Sequence, residues 1–93
     1  MTGRRHADMQ TDADGNFYQL TPDQFRRVED SILRDVQALK AQTGRSAVVK
    51  RHVTQAEDNL NWARELRTNA RLHAAEMCLV DALLSVNDAL GAA

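Results

Sequence analysis

Two stretches of this chain repeat apolar residues at helical spacing, and they differ in length. In the first, Phe25, Val28, Ile32, Val36 and Leu39 recur at intervals of three and four. Arg26, Arg27, Glu29, Asp30, Arg34 and Asp35 fall mostly outside that stripe. The pattern predicts one amphipathic helix over about residues 22–43. Its start is well marked. Thr21 suits a cap, Pro22 the first helical position, and Asp23 the positive end of the dipole. Gln24 completes a capping box with Thr21, and Leu20 and Phe25 are spaced as a hydrophobic staple. Gly44 is expected to end the helix as a C-terminal cap residue.

The second stretch, Arg45 to Leu90, runs 46 residues without Gly or Pro. Its stripe reads Val49, Val53, Ala56, Leu60 and Ala63, then Leu66 or Ala70, Ala74, Met77 and Leu84. This predicts a helix over about 47–90, capped by Ser46. A turn as short as Arg45-Ser46 implies an antiparallel hairpin. At about 1.5 Å per residue, the two stretches would be roughly 33 and 69 Å long. The shorter cannot cover the longer. Either the long helix folds back on itself, or its uncovered end is buried against another chain. A further stripe, Leu72, Leu79, Leu83, Val86 and Leu90, makes that end apolar around much of its circumference. The expected fold is therefore all-α: an antiparallel helical hairpin (21–93) with a flexible N-terminal arm (1–20) and a long second helix. It is expected to oligomerise through the distal half of that helix. The expected interface is Trp62, Met77, Leu79, Leu83, Leu84, Val86 and Leu90.

Composition sharpens this picture. Ninety-three residues make one small domain, of a size that often leans on oligomerisation. The net charge of −1 argues against a general attraction to nucleic acid or membrane. The charge is uneven, however. Residues 45–71 hold six Lys/Arg and three Asp/Glu, whereas 72–93 hold three acids and no base. The single cysteine, Cys78, fits a reducing compartment, so a cytoplasmic location is expected. The N-terminus has no apolar stretch after its basic residues and does not read as a signal peptide. The richest apolar run, Met77 to Leu84, is too short to span a membrane and contains Asp81.

Candidate chemistry is sparse. Asp12, Ala13, Asp14, Gly15 and Asn16 resemble part of a calcium loop, but its first and twelfth positions would be Gln10 and Thr21. That loop lacks its strongest ligands, and a solvated turn is the better reading. His6, His52 and His73 have no metal-ligand spacing, and Cys78 has no companion base in sequence. No metal site, cofactor or catalytic constellation is expected, so the chain does not read as an enzyme. Arg64, Arg67 and Arg71 recur at helical spacing with Thr68 on the same side. They read either as a solvated, ion-paired face or as an anion site, since guanidinium forks suit phosphate. Phe17 and Tyr18 could stack on a base or pack onto the helices. A duplex-binding role is disfavoured, because no basic recognition helix is present.

Certain residues also carry a resemblance. Thr21-Pro-Asp-Gln24, the helix-2 set Thr54, Glu57, Asp58, Trp62 and Ala63, and the aromatic pair Phe17-Tyr18 look similar to one family. It comprises the phage proteins that sequester the cyclic-oligonucleotide signals of bacterial CBASS immunity. This sequence departs from the family pattern at Gln19, where a His is expected, and at Arg64-Glu-Leu-Arg67, which replaces an Ala-rich run. The resemblance implies a homo-oligomer that binds a cyclic di- or trinucleotide at protomer junctions, with Tyr18 stacking on a base. The expected ligand residues are then Phe17, Tyr18, Arg64, Arg67 and Arg71, the arginines being assigned by chemistry and not by matching positions. The alternative is a helical adaptor or secretion-type chaperone whose apolar end binds a partner's amphipathic helix.

Overall fold

The structure is a computed structural model that describes residues 10–42 and 44–92. His6 and Thr43 therefore lie outside the described residues. The order of elements is β1 (Gln10–Thr11), β2 (Phe17–Tyr18), α1 (Pro22–Ala41), α2 (Ala47–Thr68) and α3 (Leu72–Ala92). The all-α character holds for the body of the chain. The single long second helix does not: it is divided into α2 and α3.

The start of α1 follows its sequence closely. Thr21 Oγ1 accepts from Gln24 N at 3.1 Å, and Gln24 Oε1 accepts from Thr21 N at 2.9 Å. Leu20 and Phe25 line the same small cavity, as a staple pair would. The end of α1 comes earlier than expected. The helix stops at Ala41 with Gln42 as its cap, in extended conformation. Gly44 does adopt the left-handed region (φ 68°), but in the connection and not as the cap residue. Ser46 caps α2, accepting from Val49 N at 3.2 Å.

The break between α2 and α3 has a local cause that can be read atom by atom. Ala70 sits in the left-handed region with φ 62°. Its N–H donates to Arg67 O at 3.0 Å, and the Arg71 N–H donates to Leu66 O at 2.9 Å. These are the two bonds of a Schellman motif, with Ala70 where glycine is usual. Alanine pays about 1–2 kcal/mol for that conformation, so tertiary packing must favour the break. The reason lies in the buried stripes. On α2 they are Val49, Val53, Ala56, Leu60 and Ala63; on α3, Ala75, Leu79, Ala82, Val86 and Ala89. All ten belong to one core. Consecutive helices that continued in line could meet only at their junction. Yet α2 and α3 share the most extensive contact between any two elements, so α3 folds back along α2. Alanines spaced by seven on both helices (56 and 63; 75, 82 and 89) present only methyl groups, which allow close approach.

On the other side, α1 contributes Phe25, Ile32, Val36 and Leu39 to the same core. Its cross-helix contacts run in opposite numerical order along α2: Phe25 with Arg67, Glu29 with Arg64, and Lys40 with Glu57. Of the expected N-terminal arm, residues 1–9 lie outside the described residues and residues 10–20 hold a small hairpin. β1 and β2 pair antiparallel, Gln10 with Tyr18 and Thr11 with Phe17, around a turn in which Gly15 takes φ 80°.

Two expected interface residues are corrected by this arrangement. Leu79 and Val86 are fully buried within the chain's own core and cannot face another protomer. The sequence pattern grouped them with Leu83 and Leu90, but folding back turns their side of the helix toward α2 and α1. The stripe expected to continue from Ala63 through Ala70, Met77 and Leu84 also ends at Ala63. Beyond the break those three residues are exposed.

Candidate functional site

The three arginines are close in sequence but meet different partners. Arg64 Nε donates to Glu29 Oε2 at 2.5 Å, with Glu29 buried and Arg64 about half exposed. The Arg67 guanidinium lies over the Phe25 ring, 5.0 Å from its centroid, a cation–π contact. Arg71 Nε donates to Asp14 Oδ2 at 2.8 Å, and that bond raises the Arg71 pKa above its ordinary value. Among the described residues, Arg67 alone of the three has no carboxylate partner.

Arg67 also joins two cavities. An open cleft of about 370 Å³ is lined by Glu29, Arg64, Arg67 and Thr68. A narrow one of about 50 Å³ is lined by Tyr18, Leu20, Pro22, Phe25, Arg67, Leu72 and Glu76. The Thr68 hydroxyl donates to Arg64 O at 2.9 Å, so its proton is engaged within α2. Tyr18 turns toward the helices and donates its hydroxyl to Gln10 Oε1. Phe17, the next residue on the strand, points away and is exposed, as strand alternation requires. The structure thus brings Tyr18 and Arg67 to one cavity, places Arg64 beside Arg67, and separates Phe17 and Arg71 from both.

Sequence reasoning passed over Glu76 and did not foresee what the carboxylates of Asp12 and Asp14 hold. Asp12 Oδ1 accepts from Asp14 N and Asn16 N, both at 3.0 Å, which shapes the turn. Its Oδ2 accepts from His73 N at 2.8 Å, in the first turn of α3. Asp12 is therefore the cap that α3 lacks in its own sequence. The His73 amide bond is the main cause of the lowered Asp12 pKa, partly opposed by burial. Glu76 accepts from Gln19 N at 2.9 Å and Leu20 N at 2.6 Å. The turn is largely exposed, but its carboxylates are not idle: Asp12 and Asp14 reach the α2–α3 junction, and Thr21 serves α1. The only signal in sequence was the turn composition, which says nothing of what a turn docks against.

The remaining titratable candidates stay apart. Among the described residues, no group of three His, Cys, Asp or Glu side chains could hold a metal ion. His52 Nδ1 lies 3.3 Å from Gln55 Oε1. Burial, then Asp81, pushes the half-buried Cys78 thiol above its ordinary value, away from the thiolate that chemistry would need. Among the described residues, no helix is long and apolar enough to cross a membrane.

The outer side of α3 is the other notable surface. Met77, Val80, Leu83, Leu84 and Leu90 are all exposed, Met77 by 53% and Leu84 by 55%. Leu20, Val28, Leu79, Val80 and Leu83 also line a shallow apolar groove of about 270 Å³ with Gln19 and Glu76. Trp62, on α2, is 57% exposed. No protein-family model, curated protein or solved structure matches this chain.

Proposed function

We propose that this chain is a non-catalytic helical module that associates with copies of itself through the outer face of α3. The observation that supports this reading is the apolar surface left over after the core is complete. Met77, Val80, Leu83, Leu84 and Leu90 remain in contact with water on a helix without a single Lys or Arg. They are 38–55% exposed, which makes an apolar area on the order of 400 Å². A stable dimer buries about 800 Å² per partner, a little over half of it apolar. The apolar area is therefore of the right order, with the exposed Asp81 and Asp88 lying beside Met77 and Leu84 at helical spacing. Light scattering coupled to gel filtration tests this. Wild type should run as a discrete oligomer, and Leu84→Glu as a folded monomer with unchanged helical circular dichroism. A wild-type monomer at high micromolar concentration would refute self-association and leave the face to a partner's amphipathic helix, the adaptor reading.

A second reading, capture of a phosphate-bearing small ligand, is supported by Arg67. Among the described residues it has no carboxylate partner, and it lines both the cleft with Arg64 and Thr68 and the cavity with Tyr18. Cyclic di- or trinucleotides are the specific ligands implied by the resemblance to the phage sponge family, with Tyr18 as the stacking residue. The arginine set narrows to Arg67 with Arg64, because Arg71 is engaged by Asp14. Arg64 would have to exchange Glu29 for phosphate, and the buried Glu29 carboxylate opposes an anion in the same cleft. A thermal-shift panel of cyclic dinucleotides and trinucleotides tests this reading. Binding at a hundredfold excess over Kd adds about 2.7 kcal/mol, and Arg67→Ala should abolish the shift.

A further inference from the structure

We propose that the N-terminal hairpin, from Gln10 to Leu20, is a strap that closes over the Phe25–Arg67 cavity and lifts from the helices as one unit. Its strands are only two residues each, too short to stand alone. It persists because it is tied down at the α2–α3 junction. Ala13 N donates to Ala70 O at 3.0 Å, His73 N to Asp12 Oδ2 at 2.8 Å, and Arg71 Nε to Asp14 Oδ2 at 2.8 Å. Gln19 N and Leu20 N both donate to Glu76. All but one of these ties run through three carboxylates: Asp12, Asp14 and Glu76.

The apolar attachment of the strap is small by comparison. Phe17 faces solvent, and Tyr18 and Leu20 are only half-buried. The helices beneath carry a continuous apolar core to which the hairpin strands contribute no fully buried side chain. The strap's attachment is mainly polar, while the bundle is held by apolar packing. Regions with few buried apolar contacts open at lower free energy than the core does. Lifting the strap removes Tyr18 and Leu20 from the lining of the 50 Å³ cavity. Phe25, Arg67 and Leu72 then form an open floor where an apolar group could enter beside a cation.

This proposal is independent of what the protein binds, and amide exchange followed by NMR tests it on the full chain without ligand. Four amides report the ties: Ala13, Gln19, Leu20 and His73. They should exchange together, at least about tenfold faster than Ile32, Leu60 and Leu79 in the core, and depend only weakly on denaturant. Glu76→Gln should then speed all four by a common factor, although Ala13 and His73 do not touch Glu76. Exchange of the four at the core rate would overturn the proposal, because the strap would open only on global unfolding. So would a Glu76→Gln effect confined to Gln19 and Leu20, because the ties would be independent.

Discussion

Replacing Ala70 by glycine should stabilise this protein, although the same change inside a helix would weaken it. Ala70 has φ 62° and occupies the left-handed position of the Schellman motif that ends α2. An L-residue with a Cβ pays about 1–2 kcal/mol there. Glycine removes that cost but adds back about 0.4–1 kcal/mol through the greater freedom of its unfolded chain. The side chain is exposed, so little packing is lost. The N–H to Arg67 O, and the carbonyl that accepts from Ala13 N, are both kept. The net expectation is a gain of roughly 0.5–1 kcal/mol, or about 2–8 °C in Tm for a domain of this size. Urea unfolding followed by circular dichroism at 222 nm measures it directly. A continuous second helix would instead lose about 1 kcal/mol from glycine at the same site. The two structures thus predict opposite signs, and destabilisation by Ala70→Gly would refute the fold-back of α3.

Other perturbations probe different parts of the argument. Arg64→Ala should cost about 1–3 kcal/mol in chemical denaturation, because the buried Glu29 carboxylate would lose its partner; Arg64→Ala together with Glu29→Leu should recover much of it, and a double variant no better than the single would disprove that cause. Ala82→Leu should lower stability by about 1–3 kcal/mol by forcing α2 and α3 apart, and a neutral effect in the same assay would show that the two helices are not closely packed. The lowered Asp12 pKa means that its contribution is complete above the ordinary carboxylate range and disappears as pH falls through the folded value. Asp12→Asn should therefore flatten the stability profile below about pH 4 while lowering the plateau near neutrality; an unchanged acid limb would remove Asp12 from the account.

Much of the helical framework was legible in the sequence. The capping box at Thr21 and Gln24, the cap at Ser46 and the first two buried stripes depend on neighbours within a few residues, and local chemistry suffices for them. The third stripe was read only in part. Ala75, Ala82 and Ala89 are wholly buried, but alanine carries too little apolar area to stand out beside Leu83, Leu84 and Leu90. Those larger leucines lie on the outer face and dominate the apolar pattern. The arginines illustrate the same limit: their helical spacing was plain, but their separate partners came from α1, from an aromatic ring and from a loop more than fifty residues earlier.

The long run from Arg45 to Leu90 shows where the division falls. By itself the sequence determined that these residues are helical, that they carry more apolar surface than α1 can cover, and that the excess lies toward the end. It did not determine how that excess is buried. No glycine marks the break, and a left-handed alanine is locally unfavourable, so local preference pointed to one continuous helix. Tertiary packing decided otherwise, because folding back buries two complete stripes against each other, a gain that exceeds the strain at a single residue. The same fold brings the Asp12 loop to the junction, where its carboxylate caps α3. Those contacts depend on residues far apart in the chain, which no local pattern records.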